Sequence, residues 1–97
     1  MIPISLTFEW DEEKASINLK KHSIEFAWAT QVFLDCRRCD FSDNRRDYGE
    51  LRRNTIGKIN GIIIHVTYTQ RNDVFRLISA RKANKKERER YHDHVYP

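Results

Sequence analysis

The chain opens with a strict alternation of apolar and polar residues from Ile4 to Trp10. A period of two predicts a strand with one buried face. Asp11 follows this strand, and an aspartate at that point can cap a helix by accepting a hydrogen bond from a backbone amide. Acidic residues in the next turn, and the basic group Lys20–His22 further on, complement a helix dipole. A first helix is therefore predicted from Asp11 to about His22.

After a break at Ser23–Glu25, apolar residues recur at helical spacing at Phe26, Ala29, Val32 and Phe33. This stripe predicts a second helix that ends near Asp35. Two short helices with almost no linker between them are typical of a helical hairpin laid across a sheet.

The second half of the chain carries strand and turn patterns. Cys36–Tyr48 is polar and predicts a short edge strand and a loop, whereas Leu51–Ile56 predicts a strand. Gly57–Gly61 predicts a turn, because Gly and Asn tolerate positive φ. The β-branched run Ile62–Tyr68 is typical of a central strand, and Val74–Ala80 forms the last strand.

A basic helix is predicted at the C-terminal end. Asn84 and Glu87 have the spacing of a capping box, and only a thin apolar seam follows them. The resulting order predicts an α+β fold in one domain covering residues 1–97. In this fold, two N-terminal helices pack on a mainly antiparallel sheet of four to five strands, and the basic helix completes the domain.

The charge pattern predicts an anionic partner. The net charge is +4, and the excess Arg and Lys residues cluster at 37–53 and 81–90. Such clusters suit nucleic acid, an acidic protein or an anionic membrane surface. No apolar run approaches the roughly 20 residues of a membrane span, and the basic helix has little apolar face to insert, so no membrane role is expected. The N-terminal segment lacks the features of a signal peptide, which predicts a cytoplasmic location.

Cys36 and Cys39 form a C-x-x-C pair. In a reducing cytoplasm they are expected to be free thiols. A redox site would need a strand before the pair and a helix after it, which is the reverse of the predicted order. A zinc site would need two more ligands, and the candidates His92 and His94 are remote. Neither a metal nor a cofactor is therefore expected.

Phosphodiester chemistry is the function class that the residues favour. The sequence has no glycine-rich phosphate loop, no H-E-x-x-H and no nucleophile elbow. It is rich in Arg and Lys, with Tyr and His among them. RNA supplies its own nucleophile, the 2′-hydroxyl, so an enzyme needs only to orient the backbone, stabilise the phosphoryl group and move two protons. Arginine suits phosphate because its planar fork makes two parallel hydrogen bonds. Composition leaves both RNA cleavage and simple binding open.

Arg76 and Arg81 are the most informative basic residues. Regular strand alternation places Arg76 on the same face as Ile78 and Ala80. There it either lines a concave site or forms a salt bridge, with Glu50 as a candidate partner. Arg81 ends the strand, where functional residues are frequent, although it could equally be a surface arginine beside the helix cap.

Other candidates have a structural alternative. His65 lies in the predicted central strand, which favours a hydrogen-bonded core histidine over a catalyst. His22 ends a helix and is expected to be exposed, or simply to interact with the helix dipole. Tyr91 could be the apolar anchor of the last helix. The pairs Arg45–Arg46 and Arg52–Arg53 could be solvated faces.

Several ordered segments resemble one known family, the BrnT ribonuclease toxins of bacterial type II toxin-antitoxin modules, in the RelE-like group. The matching segments are Phe8–His22, Phe26–Phe33, Gly49–Gly57, Tyr68–Arg71, Arg76–Ala83 and the K-E-R-x-x-Y that ends at Tyr91. The resemblance implies a RelE-like fold and RNA cleavage without metal or cofactor, which arrests translation and growth. It also implies neutralisation by a cognate antitoxin, BrnA, whose ribbon-helix-helix domain binds operator DNA. A non-catalytic antitoxin-binding or co-repressor module is the alternative.

The resemblance also supplies candidate site residues. The catalytic candidates are Arg52, Arg76, Arg81, His22 and Tyr91. The candidates for substrate binding are Lys21, Glu50 and Lys82. The chain departs from the family at Ser23, where Gly is usual, at Glu25, where a capping Ser is usual, and at Arg53 and Asn54, where apolar residues are usual.

Overall fold

The computed structural model describes residues 6–44 and 49–97, and its strands form one five-stranded sheet of order β1-β5-β4-β3-β2. The elements in chain order are β1 (Thr7–Trp10), α1 (Glu12–His22), α2 (Phe26–Ala29), a 3-10 helix (Thr30–Leu34), β2 (Cys39–Ser42), β3 (Arg53–Ile59), β4 (Ile62–Arg71), β5 (Val74–Lys82) and α3 (Lys85–Val95). The predicted α+β class and the C-terminal helix are confirmed. Ile4 and Ser5 of the predicted first strand lie outside the described residues.

The sheet is mixed, because β1 pairs parallel with β5 while the other neighbours are antiparallel. The central position predicted for the β-branched run is confirmed, since β4 lies in the middle of the sheet. The turn predicted over Gly57–Gly61 is confirmed only at its last two residues, because β3 continues to Ile59. The chain reverses at Asn60 and Gly61, whose φ angles of 48° and 83° suit a tight hairpin.

Gly57 is a strand residue for a packing reason. A Cβ atom there would lie 2.8 Å from Cγ1 of Val32 in the 3-10 helix. The absence of a side chain therefore lets the helical layer approach β3 closely.

The helical layer departs from the predicted hairpin in its second half. α1 begins as predicted, with Asp11 accepting a hydrogen bond from the Lys14 amide at 3.0 Å. It ends at Ser23, which adopts the left-handed conformation (φ 58°, ψ 31°) that the usual glycine reaches more easily. The segment predicted as a second α-helix has one α-helical turn, α2, and then continues as the 3-10 helix.

The main core lies between this helical layer and one face of the sheet. Its largest fully buried side chains come from both layers and include Phe26, Val32, Ile64, Val66 and Leu77. A second, smaller cluster on the opposite face joins α3 to β2 and β3 through Tyr91, Ala83, Cys39 and Ile56. The thin apolar seam predicted for α3 therefore packs on the sheet.

A β-bulge in β5 decides which face each of its residues occupies. Tyr68 of β4 lies opposite Leu77, but the preceding Thr67 lies opposite Ser79, so Ile78 is the extra residue. The bulge reverses the alternation beyond it. The predicted sharing of one face by Arg76 and Ala80 is therefore wrong. Instead, Arg76 and Arg81 lie on one face, and Ala80 lies on the core face with Leu77.

Asn18 completes the sheet where β1 stops. β1 pairs with β5 only as far as Leu77, which leaves the Ala80 backbone without a strand beside it on that edge. The buried Asn18 amide donates to the Ala80 carbonyl at 2.9 Å and accepts from the Ala80 amide at 3.1 Å. It also donates to the Ile24 carbonyl at 3.0 Å. One side chain of α1 thus replaces a strand residue and holds the chain next to Arg81.

Candidate active site

A cleft of about 360 Å³ opens on the sheet face that carries Arg81. Its floor contains Asn54, His65 and Arg81, from three adjacent strands. Glu87 and other residues of α3 form one wall, and the segment that follows β2 forms the other. We refer to this site as the Arg81 cleft.

Three charged or titratable side chains meet in the Arg81 cleft. Arg81 and His65 are direct cross-strand neighbours. The Arg81 guanidinium donates to both carboxylate oxygens of Glu87, at 2.7 and 2.8 Å. The second of these oxygens lies 3.5 Å from Nε2 of His65. The carboxylate therefore lies between a guanidinium and an imidazole.

The predicted capping box, which is confirmed, positions Glu87. The Asn84 side chain accepts from the Glu87 amide, and the Asn84 amide donates to the Glu87 carboxylate, both at 2.9 Å. The same carboxylate thus caps α3 and binds Arg81. As a result, the start of α3 is fixed over the exit of β5.

Glu87 is ionised at neutral pH. Burial alone would raise the pKa of its carboxyl group. The hydrogen bonds from Arg81 and from the Asn84 amide, with the charges of His65 and Arg81, outweigh burial, and the pKa lies below its usual value of 4.5. A carboxylate in this state can accept a proton or hold a neighbouring imidazolium.

We predict that Glu87 makes the protein sensitive to acid. Because its pKa is lowered on folding, its contribution to stability is present above about pH 4.5 and is lost as the pH falls through the lower value of the folded state. Glu87→Gln should reduce the free energy of unfolding at neutral pH and flatten its decrease in acid. Urea denaturation at pH values from about 7 to 3 measures both effects.

Glu89→Gln is the matched control, since Glu89 is an exposed carboxylate on the same helix. It should keep the wild-type pH dependence. A Glu87→Gln curve that runs parallel to the wild type would contradict the prediction.

The aromatic side chain of Phe41 lies at the edge of the cleft. The Arg90 guanidinium of α3 lies 3.6 Å from its ring centroid, and the His65 ring approaches it edge-on at 6.5 Å between centroids. Lys86 and Arg90 are both exposed at the mouth of the cleft. The exposed side chains at the mouth are therefore basic, whereas the carboxylates of the lining, Asp43 and Glu87, lie deeper.

Arg76 lies on the same sheet face but does not line this cleft. It forms an ion pair with Glu9 at 3.2 Å, because the parallel pairing of β1 places these residues side by side. The suggested partner Glu50 is wrong, since Glu50 binds Arg71 at 3.0 Å. Arg52 is half-buried just before β3, and its carbonyl accepts a hydrogen bond from the Asp43 amide.

His22 is the last residue of α1. It is half-buried, not exposed as predicted. Burial, then the charge of Lys21 and then that of Arg81, lowers its pKa. Lys21 itself is exposed, and Lys82 lines a different cleft on the helical side of the sheet.

Tyr91 faces away from the Arg81 cleft. Its hydroxyl donates to the Asp35 carboxylate at 2.6 Å, and burial followed by this hydrogen bond raises the pKa of Tyr91 to about 12. It lines a separate cleft with Asp35 and Lys58. The predicted role as an apolar anchor fits this position, and the hydrogen bond adds a polar anchor to it.

The unusual polar residues of β3 are accommodated by neighbours. Arg53 pairs with Asp40 on the edge strand β2, and Asn54 accepts a hydrogen bond from Thr67 at 2.7 Å. Arg45 and Arg46 lie outside the described residues. Cys36 is exposed, Cys39 is buried, and both are free thiols.

Two further properties concern the described part of the chain. No group of three or more His, Cys, Asp or Glu side chains within it is arranged to hold a metal ion. None of its helices has the length and apolar character needed to cross a bilayer.

Sequence reasoning identified Arg81 but missed two of its partners in the cleft. His65 is buried, as its place in the central strand predicts, yet its Nε2 atom faces Glu87. Glu87 was interpreted only as part of a helix cap. The capping box is the sequence feature that could have revealed this contact. It places the Glu87 carboxylate in the first turn of the helix that directly follows the strand of Arg81.

The fold defines a small basic α+β protein, and the Arg81 cleft is a polar site with exposed cations at its mouth. The family model described as the ribonuclease toxin BrnT of type II toxin-antitoxin systems matches residues 10–87 of the 97. The chain therefore belongs to the BrnT family of ribonuclease toxins, a membership that implies an antitoxin partner. Among curated proteins, none matches the chain significantly.

Proposed function

We propose that this protein is an endoribonuclease toxin that cleaves RNA in the Arg81 cleft without a metal ion, and that a BrnA-like antitoxin neutralises it. The observation that carries the proposal is the contact of Glu87 with both Arg81 and His65. RNA cleavage requires a group that binds the phosphate, a base and an acid. The Arg81 guanidinium can bind an anion, the ionised Glu87 carboxylate can accept a proton, and the His65 imidazole can donate one. Family membership supports the reaction class.

The proposed reaction begins when the scissile phosphate binds Arg81. The phosphate then competes with Glu87 for the guanidinium, and the carboxylate becomes available to the 2′-hydroxyl. Glu87 takes the hydroxyl proton while the 2′-oxygen forms a bond to phosphorus. The bond from phosphorus to the 5′-oxygen breaks, and protonated His65 gives its proton to that oxygen. The products are a 2′,3′-cyclic phosphate and a 5′-hydroxyl end, so atoms and protons balance.

The other candidate residues have outer roles in this proposal. Arg52, Arg76 and Glu50 stay candidates for contacts to RNA beyond the scissile phosphate. His22 is a second candidate for proton transfer because it lies near Arg81. Tyr91 acts as a positioning residue that holds α3.

The proposal includes the wider setting of the protein. We infer a RelE-like fold, a single toxin domain over residues 1–97 and a cytoplasmic location. The antitoxin is expected to carry a ribbon-helix-helix domain and to connect the complex to operator DNA.

The deciding experiment uses the purified, antitoxin-free protein and a defined RNA in the presence of a chelator. We expect cleavage that continues with EDTA and leaves 2′,3′-cyclic phosphate ends, detected by end-group analysis. A folded protein that leaves RNA intact, both in this assay and after induction in a bacterial host, would refute the enzyme assignment.

One observation favours a second candidate function. The bidentate Arg81–Glu87 pair could serve only to attach α3 to β5. The chain would then be a non-catalytic antitoxin-binding module and co-repressor. This alternative predicts a tight antitoxin complex and no RNA loss. If RNA is only bound and not cut, its affinity should fall steeply with salt, as phosphate contacts require.

A further inference from the structure

A second cleft, of about 430 Å³, lies on the opposite side of the sheet from the Arg81 cleft. It opens between the end of α1, α2 and the hairpin that joins β3 to β4. Leu19, Trp28 and Ile62 line it, and its floor contains the buried Ile24 and Ile64. We refer to it as the Trp28 cleft.

The lining of the Trp28 cleft includes two apolar side chains that are exposed. Leu19 is 43% exposed and Ile62 is 41% exposed, although both adjoin the main core. Isolated exposed apolar residues are common, but these two converge on one concavity together with a tryptophan. Concave apolar sites with an aromatic residue are where protein partners insert anchoring side chains.

The surroundings of this cleft are mainly basic. Lys82 lines it directly, and Lys20 and Lys21 extend from the adjacent last turn of α1. Glu25 is the one acidic side chain in the lining. With a net charge of +4 on the whole chain, this rim complements a partner whose apolar residues are flanked by carboxylates.

We propose that the Trp28 cleft is a docking site for the antitoxin, which inserts apolar side chains between Leu19, Trp28 and Ile62 and places carboxylates against Lys82 and the lysines of α1. The inference rests on the proposed function, because it assumes a toxin with an antitoxin partner. It also reassigns Lys21 and Lys82 from substrate binding to protein binding. RNA is the poorer occupant, since the cleft offers its backbone mostly apolar surface.

The position of the cleft connects docking to neutralisation. Lys82 follows Arg81 in β5 and points to the opposite face of the sheet. His22, at the end of the helix that bears Leu19, is close enough for Arg81 to affect its pKa. A segment bound in the Trp28 cleft therefore lies beside the edge of the sheet at Arg81. From there the antitoxin chain can extend over the Arg81 cleft.

The test measures binding of the purified cognate antitoxin to variants of the full chain. Ile62→Glu and Leu19→Glu place a carboxylate in the cleft and should each weaken binding by about 30-fold or more, the scale of an interface hot spot. Ile17→Glu is the matched control, because Ile17 is 56% exposed on α1 but does not line the cleft. It should bind as the wild type does. Calorimetry or biosensor titration gives the affinities, and circular dichroism confirms folding.

A charge variant keeps the test decisive if an apolar variant fails to fold. Lys82→Glu should weaken antitoxin binding at low salt, and the difference from wild type should shrink as salt rises. Equal affinities for Ile62→Glu, Leu19→Glu, Lys82→Glu and Ile17→Glu would overturn the proposal. So would a dimer of the free chain in sedimentation that Ile62→Glu dissociates, or protection of this cleft by RNA and not by antitoxin in hydrogen exchange.

These outcomes are separate from those of the cleavage assay. A wild-type protein that leaves RNA intact refutes the proposed enzyme, whatever the binding results. A wild-type protein that cleaves RNA, with an antitoxin insensitive to the cleft variants, refutes only the docking site.

Discussion

Arg81→Ala is expected to lower the rate of RNA cleavage by about 10² to 10³-fold, the usual effect of removing one preorganised donor to a developing negative charge. The guanidinium presents two N–H groups to one carboxylate, at 2.7 and 2.8 Å, so its fork is already oriented for an anion with two oxygens. If a phosphate took the place of the Glu87 carboxylate, the guanidinium would stabilise the negative charge that the phosphate carries in the transition state. The loss should therefore appear mainly in kcat, measured under saturating RNA.

Two variants separate this role from a general loss of positive charge. Arg81→Lys keeps the charge but not the planar fork, so it should recover only a small part of the rate. Arg76→Ala removes a charge from the same strand and the same face, at a residue paired with Glu9 outside the cleft. It should reduce activity only several-fold, and more at low salt than at high salt. Equal losses in Arg81→Ala and Arg76→Ala would contradict a site centred on Arg81.

Helix starts and the central strand could be predicted because their signals are local. Asp11 and Asn84 cap helices through amides three residues away, and the β-branched run that became β4 needs a buried environment on both faces. The predicted turn begins three residues too early because a glycine such as Gly57 is also typical of turns. Glycine is needed at position 57 because Val32, a residue 25 positions earlier, lies so close to it. No local pattern reveals this contact.

The bulge at Ile78 limits what alternation can predict about the site. A regular strand would place Arg76 and Arg81, five residues apart, on opposite faces. One extra residue brings them to the same face, and the surrounding sequence of β5 contains no glycine or proline to indicate it. Regular alternation therefore gives the wrong face for Arg76 relative to Arg81.

Long-range partners explain the remaining differences. His65 and Glu87 meet because α3 folds back onto the sheet, and the Tyr91 hydroxyl donates to Asp35, which lies 56 positions earlier in the chain. Arg81 was identifiable from its place at the end of a strand. Its partners depend on tertiary structure and could not be derived from spacing.

The early end of β1 creates the requirement that Asn18 fulfils. Beyond Leu77, β5 has no neighbour on the side of β1, yet the Ala80 backbone there is buried. An amide side chain suits this position because it carries both a donor and an acceptor, as a strand residue does. The location of Arg81 therefore depends on a residue of α1 that lies 62 positions from Ala80 along the chain.

Asn18→Leu is accordingly expected to lower the free energy of unfolding by about 3 kcal/mol, because leucine has a similar size but leaves three buried backbone groups without their hydrogen bonds. These groups are the amide and carbonyl of Ala80 and the carbonyl of Ile24. For a domain with a total stability of about 5 to 15 kcal/mol, this is a large fraction. Urea denaturation measures the loss, and hydrogen exchange should show that the Ala80 amide loses protection more than amides in the middle of β4.

Ser16→Leu provides the control, since it makes the same kind of polar-to-apolar change at an exposed position on the same helix. Its effect should stay within about 0.5 kcal/mol. If Asn18→Leu were as stable as Ser16→Leu, the edge of β5 would not need the amide. If stability fell while the Ala80 amide stayed protected, the loss would come from packing of α1, and the account of Asn18 as a replacement for a strand would be wrong. If Asn18→Leu both loses stability and exposes the Ala80 amide to exchange, it should also cleave RNA more slowly. Arg81 follows Ala80 directly, so its position would be less well fixed.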